Sequence, residues 1–125
     1  MAQLATDRRE PAAAGAAIDR GQLARMTFGD RSLERELLEL FDRQAAMLLV
    51  RMRAGGAAAV APLAHTLKGS ASGIGAAGVA RAAEAAERAA GAADCSAAVD
   101  RLALAVDEAR ALIAEIISSS FRDGP

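Results

Sequence analysis

An all-α domain follows from three features of the sequence. Hydrophobic residues make up 53% of the 125 residues, yet aromatics make up only 2%: three Phe, no Trp and no Tyr. Alanine, at 35 residues, supplies most of the difference. Strands favour β-branched and aromatic side chains, whereas Ala, Leu, Glu and Arg favour helix. Apolar residues also recur at three- and four-residue steps in successive stretches, the period of an amphipathic helix. Four such helices joined by short turns predict an antiparallel up-down-up-down four-helix bundle, preceded by a short extra helix. The length suits one lean core.

Taken in order, residues 1–17 mix Ala, Gly, Pro11 and charge without a sustained period and read as a flexible N-terminal tail. Residues 18–118 form the bundle domain. Asp19 is a cap for a short helix to about Phe28, with Leu23, Met26 and Phe28 on its apolar side. Gly29 then interrupts. Asp30, or Ser32, caps the next helix, and Glu34 and Glu36 suit the positive end of its dipole. From Arg31 to about Arg53 its apolar positions are Leu33, Leu37, Phe41, Leu48 and Met52, joined by Leu38, Leu40 and Leu49. Gly55 and Gly56 end it.

The third helix starts between Ala57 and Ala61 and runs to Ser72, with Pro62 marking its first turn. Val60, Leu63, Ala64, Leu67 and Ala71 form its inner stripe, followed by Ile74. The fourth, about Ala76 to Ala90, is almost all alanine and should pack very close to its neighbours. After a turn at residues 91–94, with Asp94 or Ser96 as cap, the last helix reads Val99, Leu102, Val106, Ala109, Ile113 and Ile116. Those steps of three and four are a bundle seam. Fraying is expected from Ser118, leaving 119–125 as a flexible C-terminal tail.

Composition also excludes whole classes of function. With 15 basic and 16 acidic residues, the net charge of −1 offers no broad nucleic-acid surface. Few aromatics means few platforms for stacking bases. Cys95, the single cysteine, makes neither an internal disulfide nor a Cys-rich zinc site and reads as a free structural or surface thiol. One His and one distant Cys make metal catalysis improbable. No stretch of about 20 residues reads as a membrane span. The charges Asp7, Arg8, Arg9 and Glu10 stand where a signal peptide needs an apolar run, so a cytoplasmic location is expected.

The chemistry gathers at the one histidine, in Ala64-His65-Thr66-Leu67-Lys68-Gly69-Ser70. Ala64, Leu67 and Ala71 point inward, and His65 lies about 100° round the helix from Ala64, at the edge of that stripe. Its same-face neighbours are Ala61, Pro62, Lys68, Gly69 and Ser72. An imidazole and an ammonium three residues apart, ringed by small side chains, is an unusual face for a solvated helix. Gly69 costs roughly 1 kcal/mol of helix propensity relative to Ala, which makes sense where another backbone must approach the ring. A packing glycine at a helix crossing is the plainer reading. Lys68 makes sense where negative charge develops on His65, because lysine is a movable point charge with three donors.

This segment resembles the histidine-containing phosphotransfer (HPt) domain family of bacterial two-component phosphorelays, whose signature is close to A-H-x-L-K-G-S. Gly75-Ala76, the Ala-rich helix after it, Glu87 and the preceding Leu37-Leu38-Glu39-Leu40-Phe41-Asp42 fit the family's pattern, so the similarity spans about residues 18–117. The resemblance implies that His65 accepts a phosphoryl group through Nε2 from a receiver-domain aspartyl phosphate and passes it to a second receiver's aspartate. Neutral imidazole is a nucleophile near pH 7. Lys68 would stabilise the added charge. Gly69, Ala61 and Ser72 would border the docked receiver, and Gln44 is the candidate for the glutamine that orients the imidazole in some members. The partners implied are response-regulator receiver domains and hybrid histidine kinases. The chain itself needs no cofactor, because the receiver carries the Mg²⁺, and it is expected to be a monomer. No ATP-binding or autokinase unit is recognisable, so the chain is read as a phosphotransfer protein rather than a kinase.

The plainer readings stand beside this one. Arg81, Glu84, Glu87 and Arg88 read as a solvated charged face. Ser70 and Ser72 near His65 suggest Ser-His hydrolysis on paper, but no nucleophile turn or oxyanion-hole feature accompanies them. The main alternative is a non-catalytic helical adaptor that binds a receiver domain or a histidine kinase, since a bundle does not dictate function.

Overall fold

A computed structural model describes residues 18–123; the N-terminal tail expected for residues 1–17 lies outside the described residues. Five helices follow one another: α1 (Arg20–Met26), α2 (Arg31–Gly55), α3 (Ala57–Gly73), α4 (Ala77–Ala89) and α5 (Cys95–Asp123). The described residues contain no strand. α2 packs on α3, α3 on α4, α4 on α5, and α5 back on α2, which closes a ring around one core.

α1 is capped as the sequence predicts, with the Gln22 N–H donating to Asp19 Oδ1 at 3.1 Å. It ends earlier than Phe28, and Phe28 is not core. That residue takes a positive φ of 56° and is 93% exposed. Met26 is exposed as well, Leu23 is buried as expected, and Ile18 and Thr27 are buried beside it. The buried Thr27 hydroxyl donates to the Leu23 carbonyl at 2.9 Å, so burying it strands no donor.

Asp30 caps α2, its Oδ1 accepting from the Leu33 N–H at 3.0 Å. The helix buries Leu38, Phe41, Ala45, Leu48, Leu49 and Met52. Leu33 and Leu40, expected in the core, are exposed. Two rows of leucine interleave along α2, and the row that faces inward is the one completed by Ala45. Its steps of three and four from Leu38 to Met52 are unbroken once that small residue is counted.

α3 begins at Ala57, after Gly56 at φ +74°. Pro62 therefore sits in the second turn rather than the first. It has no N–H for the Ala58 carbonyl, a loss tolerated on this exposed face close to the helix start. Val60, Ala64, Leu67, Ala71 and Ile74 are buried as the period requires, with Leu63 half-buried. On α4, Val79, Ala83 and Ala86 are buried, and these short side chains let α4 lie close against α3. All six seam residues of α5 are buried, together with Ala98. Its helical backbone continues to Asp123 rather than stopping near Ser118.

Two ion pairs join α2 to α5 at the surface: Arg110 with Asp42 at 2.7 Å and Arg53 with Asp100 at 3.0 Å. The hydrogen bond to Asp42 holds the Arg110 guanidinium above its ordinary pKa. α1 is fastened across the α3–α4 turn. The Asp19 N–H donates to the Gly75 carbonyl at 2.8 Å, and Gln22 Nε2 donates to the Ser72 carbonyl at 2.5 Å. No helix among the described residues is long and apolar enough to cross a membrane.

Candidate functional site

His65 lies midway along α3. Helical geometry turns its side chain away from the inner stripe and toward the flank that faces α4. Its side chain is 66% exposed. The flank is not featureless, because Glu87 reaches it from the last turn of α4. Glu87 Oε2 lies 3.1 Å from His65 Nδ1, and Glu87 Oε1 lies 3.5 Å from Lys68 Nζ. One carboxylate thus serves an imidazole and an ammonium that stand one helical turn apart.

Burial is graded across this trio. The side chains of Glu87 and Lys68 are only 30% and 32% exposed. The carboxylate and the ammonium are held in the α3–α4 crevice, and the imidazole projects from it. A carboxylate at Nδ1 fixes both the tautomer and the tilt of a histidine ring. With the proton on Nδ1 donated to Glu87, the lone pair is on Nε2, which has no hydrogen-bond partner among the described residues. Nε2 is thus left unpaired on an exposed ring, with the Lys68 ammonium on the same carboxylate.

Small residues leave that nitrogen accessible. Gly69 is exposed, and a Cβ built on it would meet nothing within 4 Å. It is therefore not a packing glycine at a helix crossing. Ala61 is half-buried one turn before His65 and Ser72 is exposed two turns after it. The Ser72 carbonyl is engaged by Gln22, which brings α1 to the end of this face. Ser70 is half-buried. No serine hydroxyl hydrogen-bonds His65 among the described residues, so the acid–imidazole pair lacks the third member of a hydrolytic triad.

Gln44 is half-buried on α2 and makes no hydrogen bond with His65. The contact proposed for it is made by Glu87 from α4. Glu87 also belongs to the charged face expected to be solvated; there Arg81 is exposed and Glu84 and Arg88 form the expected i, i+4 pair at 3.5 Å, whereas Glu87 turns to His65. One signal for Glu87 was available in the sequence: its position as the late Glu of the phosphotransfer pattern. Cys95 is half-buried at the start of α5, at the other end of α4 from the turn where α1 docks.

The family model for the Hpt domain matches residues 34–112, from the first turns of α2 to well into α5. No curated protein and no solved structure matches the chain. The matched span covers more than half of the sequence and includes His65, Lys68, Gly69 and Glu87. Members of this family are phosphotransfer modules of two-component signalling, and the chain belongs to the Hpt domain family.

Proposed function

We propose that this chain is a phosphorelay intermediate. His65 Nε2 attacks the phosphorus of a receiver-domain aspartyl phosphate. The new P–N bond forms as the P–O bond to the aspartate breaks, and the aspartate leaves as a carboxylate. The Nδ1 proton stays on the ring, held by Glu87. The outgoing step reverses these events on a second receiver's aspartate. The Mg²⁺ in both steps belongs to the receiver. What this chain supplies is an oriented imidazole, the Lys68 charge and clearance at Gly69.

The observation that carries this reading is the 3.1 Å contact between Glu87 Oε2 and His65 Nδ1, which leaves Nε2 as the free nitrogen. The closed ring of helix contacts and the short connections support the antiparallel four-helix arrangement that would present α3 to a receiver. Receiver domains and hybrid kinases are the corresponding partners, in the cytoplasm. The test is incubation with phosphorylated receivers. The expected product carries an acid-labile, base-stable phosphate on His65. Equal acceptance by His65→Gln would overturn the reading, and so would receiver binding without any phosphate on the chain, which would leave a helical adaptor in its place.

A further inference from the structure

A phosphorylated histidine parts with its phosphoryl group according to the state of its other ring nitrogen. With a proton on Nδ1, the Nε2–P bond breaks and its electron pair returns to a ring that leaves as neutral imidazole. Without that proton the ring must leave as imidazolate, a much stronger base and a much poorer leaving group. Attack by the neutral ring produces the protonated form, because the Nδ1 proton is already in place when Nε2 takes the phosphorus. An isolated ring then loses that proton in the neutral range, where imidazole titrates.

In this chain the proton has a holder. Glu87 Oε2 lies 3.1 Å from His65 Nδ1. Its carboxylate is half-buried, where water screens the attraction less than at an open surface. Lys68 shares that carboxylate at 3.5 Å, and its flexible stem lets the ammonium turn to a phosphoryl group on Nε2, leaving Glu87 to the ring. Elsewhere on α4, Glu84 and Arg88 pair with each other at 3.5 Å and Arg81 is exposed. α2 packs on α3, and α1 reaches its last turn through Gln22. Neither brings a charged group into contact with the ring among the described residues.

We infer, on the phosphotransfer proposed above, that Glu87 keeps the Nδ1 proton on His65 after phosphorylation and so makes the ring a ready leaving group for the outgoing transfer. In that step the P–N bond breaks and the phosphorus bonds to a carboxylate oxygen of the receiving aspartate. The ring departs neutral, with Nδ1–H still donated to Glu87. Neither the incoming nor the outgoing step then exchanges a proton with solvent. Orientation and charge become separable at this residue. Incoming transfer needs a neutral ring turned the right way, for which an acceptor oxygen at Nδ1 suffices. Outgoing transfer needs a cationic ring, which a negative acceptor favours and a neutral one does not.

Glu87→Gln, which keeps the acceptor oxygen and removes the charge, is the test. The full chain is phosphorylated at His65 with phosphoramidate, a small P–N donor. Single-turnover transfer to a Mg²⁺-loaded receiver is then followed from about pH 6 to 9. Parent and variant are expected to transfer alike at the acid end. As pH rises, the variant should slow about one pH unit earlier and so run about tenfold slower on the alkaline side, the lower end of the effect of an opposite charge in contact. Nitrogen NMR of the phosphorylated ring reads the cause directly: the Nδ1 proton should persist to higher pH in the parent than in Glu87→Gln. Superimposable rate profiles, or loss of the Nδ1 proton at the same pH in both chains, overturn the inference while leaving His65 as the phosphate acceptor. A His65 that takes no phosphate from any phosphorylated receiver overturns the proposed function and this inference together.

Discussion

Glu87 Oε2 stands 3.1 Å from His65 Nδ1 while its other oxygen faces Lys68 Nζ at 3.5 Å. On the proposed function, a carboxylate this close to the acceptor nitrogen would oppose the incoming charge unless it is neutralised. Lys68 does that, and it brings a second benefit. Once a phosphoryl group is on Nε2, the ammonium has a second anion within the reach of its flexible stem, and the carboxylate keeps the ring in place. On the proposed function, the two charges next to His65 would divide orientation and stabilisation between them.

Substituting Glu87 separates those roles. Glu87→Ala removes the Nδ1 partner and is expected to slow phosphoryl transfer to His65 by about 10- to 100-fold, the usual effect of losing a residue that orients a reactive histidine. Glu87→Gln keeps an acceptor oxygen for the Nδ1 proton and should recover most of the rate. Rapid-quench measurement of label passing from a phosphorylated receiver gives both numbers. Equal loss in the two variants would mean that charge, not orientation, is what Glu87 contributes.

Gly69 is the second position where stability and function are expected to part. A Cβ there meets nothing within 4 Å, and the residue lies inside a helix. Gly69→Ala should therefore raise stability by roughly 0.5–1 kcal/mol through helix propensity alone. Transfer from a receiver should fall, because the added methyl lies in the approach to the ring. A thermal melt and a transfer assay on the same sample check the two directions together.

The contrast between these residues shows what the sequence makes legible. The α5 seam from Val99 to Ile116 is readable because almost every step carries a large apolar residue. In α2 the same reading takes in Leu33 and Leu40, because Ala45 adds little hydrophobicity although it completes the buried row. Phe28 misleads for a related reason: the chain turns through a positive φ there, so its hydrophobicity says nothing about burial. His65, Lys68 and Gly69 stand together in the sequence and declare themselves. Glu87 is 22 residues from His65 on another helix, and no periodicity within one element can report that contact.

The alanine-rich α3–α4 contact sets a limit on volume. Ala64 and Ala71 on α3 and Ala83 and Ala86 on α4 are fully buried. Ala83→Leu inserts bulk where the helices approach closely and is expected to cost about 1–3 kcal/mol. Ala82→Leu, one residue away at a half-buried position, should cost less. Chemical denaturation of the two variants gives the difference directly, and a tolerated Ala83→Leu would mean that the helices are not in close contact.

The fastening of α1 can be isolated by comparing two glycines with nearly the same backbone. Gly56 and Gly75 have φ of +74° and +78°. An alanine at either position pays the left-handed strain of about 1–2 kcal/mol. At Gly56 nothing lies within 4 Å of the added Cβ, whereas at Gly75 it meets the Cβ and the carbonyl oxygen of Asp19 at 2.9 Å. Those Asp19 atoms cannot swing aside as a flexible side-chain tip would, because the Asp19 N–H is itself bonded to the Gly75 carbonyl. Gly75→Ala should therefore destabilise more than Gly56→Ala, and the excess should appear at α1. Hydrogen exchange is the decisive measurement: the amides of Leu23 and Thr27, whose partners are the Asp19 and Leu23 carbonyls, should exchange faster in Gly75→Ala and stay protected in Gly56→Ala. Equal exchange in the two variants would show that α1 is held by its buried Ile18 and Leu23 alone, and not by its bond to the α3–α4 turn.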